Sequence, residues 1–343
     1  MKVLVTGNLG YVGTVLVPLL QEKGHEVAGL DSGFFSECTL ASPISPNRQL
    51  IKDTRNVSVA DFEGIDAVVH LAALSNDPLG ELAPGLTEEI NLDATMSVAM
   101  CAKEAGVKRF VYASSQSMYG VSNTDAELDE YQSEKKPETA YARTKWQAEL
   151  KLGELNSDQF TVCCFRPSTV FGASPRLRCD IVFNNLVACA YTTNKIEIKS
   201  DGTPWRPVVH VRDVCAAFIA GVEAPREIVS GKSYNVGIKN GNFTVRQLAE
   251  AAQKAVPSSE LVFTGEHGGD ARTYRVCFDR ILRELGEFYK PEWTLDKGAE
   301  ELVEFFNENN FSEKDFRGWK TTRLMHLNAM LETGRMSKDF RLV

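Results

Sequence analysis

Lys2 to Thr6 is a short apolar run, glycines follow at positions 7, 10 and 13, and the apolar segment Tyr11 to Lys23, of helical length, ends at Gly24. This order predicts a strand turned tightly into a helix. Glu26 to Leu30 repeats the strand signal and stops at Asp31, and a third strand candidate precedes Asp53. Ala67 to Leu71, Arg109 to Ala113 and Thr161 to Phe165 are further runs of strand length, with helical patterns at Ile90 to Ala105 and Thr139 to Leu155 between them. Strands alternating with helices predict an α/β fold, a doubly wound parallel sheet with helices on both faces, over residues 1–170. Beyond Arg166-Pro167 the texture changes. Gly172, Pro175, Gly202, Pro204 and Pro207 punctuate short segments, and helical stretches return at Asn185 to Tyr191, Arg212 to Glu223 and Val245 to Ala255. Residues 171–343 are expected to form mainly a smaller C-terminal lobe over the carboxyl edge of the sheet, with some segments returning to the first domain. The charged stretch from Asp296 onward receives no place.

Composition narrows the class of partner. The chain has 343 residues, 43% of them hydrophobic and 24% charged, enough apolar material for a large core. A formal net charge of −8 offers no basic surface for a nucleic-acid backbone, so nucleic acid is not an expected partner. A few arginines and helix N-terminal amides can still hold a single nucleotide. The N-terminal apolar run is too short for a signal-peptide core, and no stretch approaches the roughly 18 apolar residues of a membrane helix, so no membrane association is expected. The eight cysteines include no Cys-x-x-Cys pair and read as buried thiols of a reducing cytoplasm. Five histidines and no clustered acids predict no metal.

Glycine is needed where the backbone takes positive φ or must let a pyrophosphate approach, and the helix beyond the turn supplies amides and a partial positive charge. Asp31 ends the second strand about 18 residues after Gly13. A carboxylate there accepts hydrogen bonds from adenosine ribose hydroxyls and repels a 2′-phosphate, which favours NAD over NADP. Tyr141 and Lys145 stand four apart in a predicted helix and share one face. A phenol titrating near 10 is a poor base, but a nearby ammonium and a positive nicotinamide ring favour its phenolate. Tyr141 could then take a proton from a substrate hydroxyl as a hydride leaves the same carbon. Ser114-Ser115 fall at the carboxyl edge of the sheet, where ligands bind in such folds.

Thr6-Gly7-x-x-Gly10-x-x-Gly13, Asp31, Asp53, His70-Leu71-Ala72-Ala73, Asn91, Ser114-Ser115, Tyr141-x-x-x-Lys145 and Arg166-Pro167 occur in this order. The series resembles the extended short-chain dehydrogenase/reductases, and more narrowly their NAD-dependent nucleotide-sugar epimerase/dehydratase branch, over roughly residues 1 to 285. The resemblance implies a Rossmann-type domain with a smaller C-terminal substrate-binding lobe. It implies NAD contacts from Gly7, Leu9, Gly10, Tyr11, Val12, Gly13, Asp31 and Pro167, with Asp53 and Thr54 flanking the adenine and Leu71, Ala72 and Ala73 lining the dinucleotide. Asn91 would support the site from a helix, and Lys145 would hydrogen-bond the nicotinamide ribose. Ser115, Tyr141 and Lys145 would be the catalytic set, with Ser114 mostly structural.

Substrate contacts implied by the same resemblance fall on Ser115, Gln116, Ser117, Thr169, Asn185, Arg206 and Arg272. Arg206 sits in Asp201-Gly202-Thr203-Pro204-Trp205-Arg206 and Arg272 in Gly269-Asp270-Ala271-Arg272, where the family's arginines hold a diphosphate; Arg176 and Arg178 are further available cations. Similar sugar 4,6-dehydratases carry Asp and Glu where this chain has Gln116 and Ser117, and neither residue titrates near neutrality, so dehydration is poorly supported. Thr169 replaces an asparagine that usually touches substrate. The reading is a nucleoside-diphosphate-sugar epimerase acting at C4 through a transient ketone. A 4-keto-sugar reductase, a dehydratase with acids from elsewhere, and a non-catalytic dinucleotide-binding regulator remain as alternatives. The family also implies a homodimer through the helices carrying Asn91 and Tyr141.

Overall fold

The strands are β1 (Lys2–Thr6), β2 (Glu26–Asp31), β3 (Arg48–Ile51), β4 (Ala67–His70), β5 (Arg109–Ala113), β6 (Thr161–Pro167), β7 (Thr169–Phe171), β8 (Lys195–Ile198), β9 (Trp205–His210), β10 (Lys232–Val236), β11 (Asn242–Thr244) and β12 (Glu260–Phe263). The computed structural model describes residues 1–75, 77–121, 126–266 and 273–343. Seven strands pair in parallel in the order β3-β2-β1-β4-β5-β6-β10. The order reverses between β1 and β4, which opens a crevice at the carboxyl ends.

The sheet is buried on both faces, so its strands are continuously apolar instead of alternating. Val3, Val5, Val69, Val111, Cys163 and Phe165 join one core. Their strand neighbours Leu4, Val68, Phe110, Tyr112, Val162 and Cys164 join the other. Helices Gly13–Glu22 and Val211–Glu223 cover the first face; Ala94–Glu104 and Ala140–Leu155 cover the second. Two smaller sheets, β11-β9-β7 and β12-β8, lie with helices Val182–Thr193, Val245–Ala255 and Leu295–Glu308 in the second half of the chain. From there, Val211–Glu223 and β10 return to the large sheet.

Several local readings shift. The first helix begins at Gly13, leaving Tyr11 and Val12 in the turn. The helix expected from Ile90 opens with a π-helical turn, Glu89–Asp93, before Ala94–Glu104. The C-terminal stretch forms a helix, Arg323–Glu332, and a short hairpin bridged at Met336 and Leu342. Both pack onto Phe34, Leu74, Leu79 and Ile90. Cys101, Cys189 and Cys277 are part-exposed, contrary to the expectation of uniformly buried thiols. Among the described residues, no helix is long and apolar enough to cross a membrane.

Candidate active site

The carboxyl ends of β1, β2, β4, β5 and β6 open into one cavity of about 720 Å³. Gly7, Gly10, Tyr11, Val12 and Gly13 line it where the first helix begins. Gly7 has φ of 71°, and a Cβ there would lie 2.8 Å from the Ala72 nitrogen. At Gly13 a Cβ would lie 2.4 Å from the Gly7 carbonyl oxygen. A side chain at Gly7 would force the turn away from the β4 end, and one at Gly13 would collide with the turn's own backbone. Leu71, Ala72 and Ala73 line the cavity beside it.

Asp31 also lines the cavity. Its carboxylate accepts the N–H of Gly33 at 2.8 Å and of Leu9 at 3.1 Å. Burial raises its pKa against those bonds. Leu9 itself does not reach the cavity wall; it orients Asp31 through its backbone. Asp53 and Thr54 line the same cavity. Burial works to raise the Asp53 pKa, but bonds from Arg55, at 2.7 Å for the closest, leave it below the ordinary carboxylate range. Asn91 stands behind the wall: its amide accepts the Leu74 N–H at 2.8 Å and donates to the Leu74 carbonyl at 3.1 Å, holding the loop after β4.

At the other end, Ser114, Ser115, Tyr141, Lys145 and Pro167 face one another across the cavity. Thr139 caps the helix Ala140–Leu155 and fixes where Tyr141 and Lys145 begin. Ser115 caps the turn Gln116–Tyr119. Its Oγ accepts both the N–H of Ser117 at 3.1 Å and the hydroxyl of Ser117 at 2.9 Å, and it is hydrogen-bonded to Tyr141. Lys145 donates to the Ala113 carbonyl at 2.7 Å. Contrary to the expectation of a phenol held low by its lysine, burial pushes Tyr141 up to about 12, with the Ser115 bond the largest opposing influence. Burial also pushes Lys145 down to about 7. Desolvation dominates both shifts because both groups are deep in the protein.

Gln116 lines the cavity, but its amide is committed elsewhere: Nε2 donates to the Arg166 carbonyl at 3.0 Å and Oε1 accepts the Ser168 hydroxyl at 3.1 Å. Ser117, Thr169, Asn185 and Arg206 line the cavity too; Arg272 lies outside the described residues. Arg178 lines it and forks onto Asp180 at 2.8 and 3.0 Å, with a third bond to Ser75 at 2.9 Å. Arg176 is not in the wall, and its guanidinium donates to the Phe35 carbonyl. Sequence reasoning missed Phe35, Ser75, Asp77, Glu138, Asp180 and Arg323, all of which line the cavity. The apolar spacing Leu324, Leu327, Leu331 marks a helix next to Arg323, but nothing local says where that helix docks.

A dinucleotide fits these residues. The glycine turn opens at a helix N-terminus, a buried acid stands at the end of β2, and the Ser114 hydroxyl is buried in the cavity wall with no hydrogen-bond partner among the described residues. Among the described residues no group of three or more His, Cys, Asp or Glu is placed to hold a metal.

Fold and site together define a dinucleotide-dependent enzyme of the doubly wound class, with a Ser-Tyr-Lys set at the sheet's carboxyl edge. The chain belongs to the NAD dependent epimerase/dehydratase family, which it matches over residues 3–237. It is 29% identical over 325 residues to a UDP-glucose 4-epimerase of Mycolicibacterium smegmatis, covering 90% of this chain and 100% of that one. It is 27% identical over 339 residues to the dTDP-D-glucose 4,6-dehydratase of Mus musculus, covering 93% and 90%. Among solved structures, MoeE5 in complex with UDP-glucose and NAD is similar with a TM-score of 0.76 at 25% identity, covering 90% of this chain and 100% of that one. The cofactor is NAD.

Proposed function

We propose that the chain is a nucleotide-sugar epimerase that inverts C4 through a transient 4-keto sugar. The carrying observation is at Gln116 and Ser117: no titratable group stands there, and the Gln116 amide is tied to Arg166 and Ser168. The similarity to the mycobacterial UDP-glucose 4-epimerase and to MoeE5 in complex with UDP-glucose supports a nucleoside-diphosphate sugar as substrate. Ser115, Gln116, Ser117, Thr169, Asn185 and Arg206 are its proposed contacts within the described residues, with Arg272 beyond them.

Bound NAD supplies a hydride acceptor and a positive charge near the phenol. The protein's part is proton movement at the sugar oxygen. A hydroxyl oxygen has two lone pairs, and Ser117 occupies both on Ser115. Ser115 therefore donates its own proton to Tyr141, which favours the phenolate that accepts a proton from the C4 hydroxyl. Release of the ketone's other face to the cofactor requires the sugar to turn within the cavity while the nucleotide stays held. A homodimer through helices Ala94–Glu104 and Ala140–Leu155, where Met100 and Leu150 stand exposed, is part of this proposal.

A dehydratase reading has one observation in its favour: Asp77 and Glu138 line the cavity, and Asp77 acts electrostatically on Tyr141. Turnover of UDP- and dTDP-sugars, followed by proton NMR and absorbance at 340 nm, tests the proposal. A C4 epimer with no net absorbance change supports it. Stoichiometric NADH consumption would mark a reductase, and a 4-keto-6-deoxy product a dehydratase; either overturns it.

A further inference from the structure

Arg323 opens the helix Arg323–Glu332, yet its side chain lines the same cavity as Asp31 and the glycine turn. It is 2% exposed, with its guanidinium 5.2 Å from the Phe35 ring centre. Nη1 donates to the Lys320 carbonyl at 2.9 Å, and Nη2 to those of Arg176 at 2.6 Å and Leu177 at 3.4 Å. Burial, with Arg178 and Arg176 nearby, pushes its pKa down to about 10 against the opposing influence of Cys38 and Asp180. The Nη hydrogen bonds of this buried cation go to neutral backbone carbonyls, and an anionic diphosphate in the cavity would add a charged partner.

The chain behind Arg323 is fastened to the cavity walls. Leu327, Met330, Met336 and Phe340 form one apolar cluster with Phe34, Leu74, Leu79 and Ile90, and Phe34, Leu74 and Ile90 are themselves cavity-lining. Arg55, which holds Asp53, also donates to the carbonyls of Asp339 at 2.8 Å and Phe340 at 2.7 Å. Arg341 approaches Asp53 at 3.6 Å, and Arg335 pairs with Glu37 at 2.8 Å. Phe340 adopts φ of 53° although its side chain is bulky. That conformation persists only where surroundings over-determine it, here a buried ring and a carbonyl held by Arg55.

We propose that residues 323–341 complete the NAD site: Arg323 presents a cation to the dinucleotide's diphosphate, and the strap that follows, tied to Asp53 and Arg55, retards cofactor release. The inference rests on NAD binding, not on which sugar reaction follows. It is tested on the full-length protein carrying NAD, chased with excess isotopically labelled NAD, with release followed by rapid gel filtration and UDP affinity measured in parallel by calorimetry. Loss of a charge-assisted bond worth about 1.5–3 kcal/mol should speed release by about ten-fold or more in Arg323→Gln. Phe340→Ala should also speed it, Arg323→Lys should stay closer to the parent, and UDP affinity should hold in all three. An Arg335→Ala/Arg341→Ala double variant is expected to move in the same direction, and it makes the strap test independent of whether Phe340→Ala folds. Unchanged release in Arg323→Gln and in the strap variants would overturn the proposal, as would a loss confined to UDP affinity.

Discussion

The ammonium of Lys145 lies 6.0 Å from the centre of the Tyr141 ring, while its hydrogen bond goes to the Ala113 carbonyl at 2.7 Å. Burial displaces the two groups in opposite directions, the lysine down to about 7 and the tyrosine up to about 12. The consequence for stability has a definite sign. The folded pKa of Lys145 lies below its ordinary 10.5, so the unfolded chain binds the proton more tightly and the lysine penalises folding. That penalty is complete below about pH 7 and fades as pH rises toward the ordinary lysine value. In dinucleotide-free protein, Lys145→Met should therefore raise the Tm most at mildly acidic pH, with the gain shrinking through alkaline pH. Paired thermal melts across this range check it; a pH-independent gain contradicts it.

Tyr141→Phe removes the proposed base and should lower kcat by about 10²- to 10⁴-fold. Ser115→Ala removes the donor that opposes burial at the phenol. Its activity should require a higher pH than the parent's, because the phenol then titrates higher. A kcat profile over pH for both variants reads these effects. A Ser115→Ala profile superimposable on the parent's would show that the Ser117-Ser115-Tyr141 chain does not set the phenol's acidity.

Gln116→Glu is nearly isosteric and places a carboxyl where related dehydratases carry an acid. Here it should destabilise instead of creating dehydration. The buried amide donates to the Arg166 carbonyl, and a carboxylate cannot, which leaves a buried acceptor unmatched at a cost of about 1–3 kcal/mol. The loss should diminish in acid, where the protonated carboxyl can donate again. Thermal melts at neutral and acidic pH, with product analysis for any 4-keto-6-deoxy sugar, check both halves.

Much of the sheet was legible because its signals are local. Arg109 to Ala113 is a compact apolar run between charged and polar neighbours, and it forms a strand with those bounds. Val245 to Ala255 has an amphipathic helical period, opened by a capping box between Thr244 before it and Gln247 in its first turn, and its bounds also match. The site was legible only as far as motifs reach. Tyr141 and Lys145 share a helix, and the glycine turn follows a strand, so spacing alone brings their parts together. Burial is not a local property, and so spacing and charge pairing do not give the direction of the Tyr141 shift in the cofactor-free protein. Arg323 reaches Phe35 across nearly the whole chain, and no periodicity encodes that contact. The π-helical turn at Glu89–Asp93 likewise has no propensity signal; it is visible only once Asn91 is seen bonding Leu74.

The central claim is that C4 is oxidised and then reduced by the same hydride while Tyr141 moves the proton. The most direct test uses the nucleotide sugar that the protein turns over, synthesised with deuterium at C4 and incubated in ordinary water without added cofactor. The account predicts that the epimer retains deuterium at C4 and that Tyr141→Phe forms it about 10²- to 10⁴-fold more slowly. Loss of the label to solvent during inversion would contradict the account.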